Sequence, residues 1–191
     1  MAVSATGPNG PGAPSDTAIL RGLNVFAFFT VWSNVLVGVT TLLLALDLER
    51  PSTVFCTLRL IGVAAITVTF LVYHVALAHL LDLDSWALVA ETILHTGVPI
   101  LTIAGWLMFG PRGMTSTRVV QLTALFPATY MVFAVFRGAI TGFYPYPFAD
   151  VGALGYPRVI VNGVWITALF MGIAAGLDVF DRWLVRRERP A

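Results

Sequence analysis

The chain has 191 residues, 58% of them hydrophobic and 11% charged, with a net charge of +1 and a mean hydropathy of +0.85. A soluble domain carries roughly 25% charged residues, so much of this surface faces lipid, and the expected fold is an all-α polytopic transmembrane bundle forming one domain. The near-neutral balance excludes a nucleic-acid partner, which needs a basic face, and the single cysteine, Cys56, excludes an internal disulfide or a cysteine-based metal site.

Residues 1–17 (MAVSATGPNGPGAPSDT) are rich in Gly, Pro and Ser, contain no apolar run and read as a disordered tail. They lack the charged start and apolar stretch of a signal peptide. Five apolar stretches follow, at residues 22–46, 58–81, 86–109, 117–141 and 158–180. Each exceeds the ~20 residues that cross ~30 Å of hydrocarbon at about 1.5 Å per residue. Helices are expected, because lipid offers backbone groups no partner. The breaks DLERPST, LDLDS, GPRGMTS and YPYPFADVGALGYPR carry loop chemistry. The membrane domain is placed at 18–185 and a basic tail at 186–191.

Arginine placement sets an expected orientation. Arg50, Arg59, Arg112, Arg118, Arg182, Arg186, Arg187 and Arg189 fall on one side, and Arg21 and Arg158 on the other. The C-terminus is therefore expected in the cytoplasm and the N-terminus outside, in a multi-pass cell-membrane protein. The tail RRERP reads as the positive-inside anchor, with lipid-headgroup recognition as the alternative. There is no internal repeat to support an inverted-repeat transporter.

Polar side chains within spans are costly and concentrate where function is. Here they gather in the outer halves: Thr30, Ser33 and Asn34, then His74, then Glu91 and His95, then Arg137, with Tyr144, Tyr146 and Asp150 in the loop on the same side. Thr30 and His95 each lie about nine residues into their apolar stretches, on spans running the same way. A hydroxyl and an imidazole at one depth can act as nucleophile and base; alternatively, both are buried side chains bonded to neighbouring helices. Thr30 shares a helix face with Asn34, and Glu91 with His95, each pair four apart. Glu91 can orient the imidazole, as the third member of a catalytic triad does. Arg137 is expected to pair with a carboxylate, either Glu91 or one carried by a substrate. Asp150 either serves the site or caps within its loop. The stiff, aromatic FYPYPF segment is either a lid or a loop packed on the helix ends.

The signatures FFTVWSN, HTGVPI, PATY and ITGFYPYPFADVG, in that order over roughly residues 20–180, resemble the androgen-induced membrane protein family, in particular its bacterial branch. Animal members hydrolyse fatty acid esters of hydroxy fatty acids with a threonine nucleophile and a histidine. The resemblance implies that Thr30, after Phe28 and Phe29, is the nucleophile and that His95, in His95-Thr96-Gly97-Val98-Pro99, is its histidine. The loop match is Tyr146-Pro147-Phe148. Family members usually have six spans, one of them ahead of the threonine; residues 1–17 cannot supply it, so the protein either works with five or borrows from a neighbouring copy.

The leading expectation is therefore an intramembrane lipid-ester hydrolase that needs no metal or cofactor, with a fatty acyl ester as substrate and the bilayer as its medium. Asn34 or Tyr146 would donate to the oxyanion, and Arg137 would hold a free fatty carboxylate. Two alternatives belong to other classes. One is a lipid-binding or transport protein without turnover. The other is a haem protein ligated by His74 and His95.

Overall fold

In the computed structural model, which describes residues 24–47, 52–80 and 85–188, five helices are long and apolar enough to cross a membrane. They are α1 (Phe29–Leu46), α2 (Thr53–Leu77), α3 (Trp86–Phe109), α4 (Thr117–Thr141) and α5 (Val151–Arg187). No strand occurs among the described residues. The architecture is that of an all-α, multi-pass membrane protein. Residues 1–17, Arg21, Arg50 and Arg189 lie outside the described residues.

α2 forms the centre of the bundle. Half of the most apolar stretch of α2 is buried, against 11% of that of α3. Leu60, Ile61, Ala64, Ala65 and Val68 of α2 pack against Val119 of α4 and against Phe170 and Ala174 of α5. Gly62 lets α1 approach closely, since a Cβ there would lie 3.4 Å from the Val37 amide nitrogen. The outer faces carry exposed Leu42, Leu101, Phe136 and Trp165. Such surface would aggregate in water and is at home in lipid.

The spans are not regular, and proline accounts for several of the breaks. α3 opens into a π turn at Ile93–Gly97, immediately ahead of Pro99. That proline has no N–H for the His95 carbonyl and its ring crowds it. α4 breaks at Ala124, ahead of Pro127. α5 leaves helical geometry at Gly155 (φ 73°, ψ 158°), ahead of Pro157. α2 ends in a second π turn, Tyr73–Leu77.

Several boundaries differ from the sequence reading. α1 starts at Phe29 after a 3₁₀ turn at Val25–Ala27, so Thr30 is the second residue of its helix rather than deep within it. α5 extends through Arg186 and Arg187, so the start of the basic tail is helical. Arg187 there lies over the Trp183 ring, 3.9 Å from its centroid. The same end is tied together by Asp181, which accepts from the Gly113 amide and the Thr115 hydroxyl at 3.0 Å each.

Candidate active site

The first turn of α1 needs partners for its leading amides, which no helix carbonyl can reach. Phe28, at the cap position, has no polar side chain to offer. Two distant tyrosines serve instead. The Phe29 amide donates to the Tyr130 hydroxyl at 3.1 Å, and the Thr30 amide to the Tyr146 hydroxyl at 3.4 Å. Tyr130 passes its own proton to the Ala27 carbonyl at 2.8 Å. The Thr30 carbonyl accepts from Ser33 and from Asn34, both at 2.8 Å. The backbone around Thr30 is thus fixed from both ends.

Thr30 Oγ1 lies 3.0 Å from His95 Nε2. On the other side of the ring, Nδ1 faces the Glu91 carbonyl at 3.2 Å and Glu91 Oε2 at 2.7 Å. The in-line hydrogen bond goes to the carbonyl; Oε2 is buried beside the ring as a close charge contact without a bond of its own. Both neighbours of Nδ1 are acceptors, so the neutral ring carries its proton there. Nε2 is left to accept from the Thr30 hydroxyl. Tyr73 stacks on the imidazole, with centroids 4.1 Å apart and the planes at 19°. Thr30, His95 and Tyr146 are all buried.

The π turn of α3 makes this possible. It brings His95 round to Thr30 while keeping Glu91 one turn behind it, and such turns recur at functional sites. Asn34 also donates to the Leu94 carbonyl at 3.4 Å, clipping α1 to this turn.

A cavity of about 50 Å³ opens at the pair. Its walls are apolar, with Phe29, Val68, Val72, Met131, Phe148 and Ile166 among them, and its polar end is formed by Thr30, His95, Tyr130 and Tyr146. Mostly apolar walls with a few convergent polar groups are the usual form of a small-molecule site. Burial raises the Tyr146 phenol above its ordinary range, its bonds to Thr30 notwithstanding, so it keeps its proton and can donate.

The connection after α4 is a packed plug. Phe143, Tyr146 and Ala149 are buried, and Tyr146 stacks on Phe148, with centroids 5.0 Å apart. Asn162 of α5 donates to the Phe148 carbonyl at 2.9 Å and holds the plug down.

Other expected site residues lie elsewhere. Arg137 does not reach a carboxylate among the described residues, as its partners are Asn24 Oδ1 and the Phe143 carbonyl. It also sits over the Phe143 ring and does not line the cavity. Asn34 spends its amide on two backbone carbonyls and is no oxyanion donor. Tyr144 packs on Gly138, and Asp150 accepts from the Ala153 amide at 3.1 Å, capping α5. His74 is exposed and already uses both ring nitrogens, on the Phe70 carbonyl at 2.8 Å and the Thr96 hydroxyl at 3.2 Å. His95 is likewise engaged at both nitrogens. The Nε2 atoms of the two histidines are turned to different hydroxyls, that of Thr96 and that of Thr30. No cluster of three metal-ligating side chains occurs among the described residues.

Tyr130 and Tyr73 were not anticipated. Tyr130 stands in the PATY signature in mid-span, where a phenol must find a partner because lipid supplies none; that was the available signal. Nothing in the sequence marks Tyr73.

Comparison with known protein families, curated proteins and solved structures finds no match to this chain.

Proposed function

We propose that the protein is an intramembrane hydrolase of lipid esters. The observation that carries this reading is the 3.0 Å contact of Thr30 Oγ1 with His95 Nε2 at the polar end of an apolar cavity. Thr30 Oγ1 attacks the ester carbonyl as Nε2 takes the hydroxyl proton. The Glu91 carboxylate stabilises the imidazolium. The oxyanion accepts from the Tyr146 hydroxyl, which the Thr30 amide holds at the positive end of α1. His95 returns the proton to the departing alkoxide, which leaves as the alcohol. It then deprotonates a water, which attacks the acyl-threonine; the imidazolium gives that proton to Thr30 Oγ1 as the fatty acid is released.

The cavity has room for an ester group and a few waters, each needing roughly 10–15 Å³, but not for a whole acyl chain. Met131, which packs over Gly163, closes the cavity between α4 and α5 and would have to move for a chain to pass there. No arginine lines the cavity, so the neutral ester and its chain are what the site selects. Fatty acid esters of hydroxy fatty acids, the substrates suggested by the motif resemblance, fit with their free carboxylate outside.

The test uses purified protein with a lipid ester and a hydroxyl-directed fluorophosphonate probe. Thr30→Ala and His95→Ala should each abolish turnover and labelling, whereas Thr30→Ser should keep both. Full activity in folded Thr30→Ala would sink the assignment. Co-purified lipid without turnover in the wild type would favour a binding protein instead.

A further inference from the structure

A second opening lies at the opposite end of the bundle and shares no residue with the Thr30 cavity. It is a groove of about 500 Å³ between the second half of α1 and the second half of α3. α1 meets α3 chiefly at its π turn, and the two helices diverge beyond it. The walls are apolar, with Val37, Leu44, Leu101 and Phe109 among them. Two glycines, Gly38 and Gly105, open into it, and an added Cβ at either would meet nothing within 4 Å. Glycines on membrane helices ordinarily admit a neighbouring helix. None of the described helices fills this place, so the glycines widen the groove.

Arg59 lines the groove and is only 9% exposed. Its one partner among the described residues is the Thr41 hydroxyl, 3.3 Å from Nη1. No carboxylate lies at ion-pair distance from it among the described residues. Asp181 borders a smaller opening that Arg59 also lines, but its Oδ2 is taken by the Gly113 amide and the Thr115 hydroxyl. A buried guanidinium with a single hydroxyl partner among the described residues is costly in a membrane. Arg59 stands six residues past the start of α2, about 9 Å by helical rise, within reach of the headgroup zone.

We propose that this groove binds an acidic phospholipid, with its phosphate on the Arg59 guanidinium and an acyl chain over Gly38 and Gly105. Guanidinium and phosphate match in a two-point hydrogen-bonding geometry. A second copy of the chain is a poorer occupant, because it would have to bring a free carboxylate to this depth. The span acids Glu91, Asp178 and Asp181 are already engaged, by His95, by Arg182 and by the turn at Gly113 and Thr115.

The full chain, purified in neutral detergent, is to be compared with added phosphatidylglycerol, phosphatidylcholine or inorganic phosphate. The readouts are thermal unfolding and lipid retention in native mass spectrometry. Phosphatidylglycerol should raise Tm by several degrees and be retained one per chain, while the other two should do neither. Arg59→Gln should weaken retention about tenfold or more. Gly105→Phe, whose side chain enters open space, should block the groove with Arg59 intact, and it keeps the test decisive if Arg59→Gln misfolds. Equal retention of both phospholipids would overturn the proposal, as would a shift with phosphate alone. So would a dimer that Gly105→Phe dissociates.

Discussion

A membrane threonine usually gives its hydroxyl to the carbonyl one turn behind it, and Thr57, Thr67, Thr92, Thr129 and Thr141 all do so here. Thr30 has no such carbonyl, because it is the second residue of α1. Its hydroxyl is therefore free to face His95. The same position puts its amide at the positive end of the helix, next to the Tyr146 phenol. Tyr146→Phe should lower kcat on a lipid ester about 100-fold or more while changing KM little. It should also cost about 1–3 kcal/mol of stability, because the buried Thr30 amide loses its acceptor. Steady-state kinetics alongside thermal unfolding would separate the two effects, and an unchanged kcat would remove Tyr146 from the reaction.

At the scale of elements, legibility follows how local each cause is. The bounds of α3 and α4 stand in the sequence, because apolar length and the flanking loop residues decide them. The start of α1 was missed by seven residues. Its cap is made by Tyr130 and Tyr146, more than a hundred positions away, and no local pattern records that. The pairing of Glu91 with His95 was legible from four-residue spacing, since a π turn leaves that neighbour in reach. Arg137 was misjudged because a guanidinium inside a span was assumed to need an acid, whereas a side-chain amide, a carbonyl and an aromatic ring supply its contacts. The plug depends on one small residue. A Cβ at Gly138 would come within 2.0 Å of the Tyr144 ring. Gly138→Val should push out Tyr144 and the adjoining plug, lowering Tm by several degrees and lowering activity with it. Gly172→Val, where an added Cβ meets nothing within 4 Å, should leave both close to wild type.

For the whole molecule, composition was enough to indicate a lipid-facing bundle, because burying this much apolar surface in a soluble fold of this size is not feasible, and the spacing of the apolar stretches gave its five crossings. The orientation expected from charge bias, C-terminus inside, can be tested directly. In a Cys56→Ser background, Arg187→Cys should react with an impermeant thiol reagent only after the cell membrane is opened, whereas Thr141→Cys should react on intact cells. The reverse pattern would invert the assignment, moving the Thr30 cavity to the cytoplasmic leaflet and the Arg59 groove to the outer one.

The two tyrosine hydroxyls at the head of α1 bear on when the protein becomes competent. The Thr30 amide is bonded to residue 146, 116 positions further along the chain, while its hydroxyl meets His95 after only 65. During synthesis both Thr30 and His95 are therefore made well before the segment that shapes the first turn of α1. On the proposed function, the site is complete only once the plug has docked, so a partly made chain has the pair without the phenol that orders the first turn of α1.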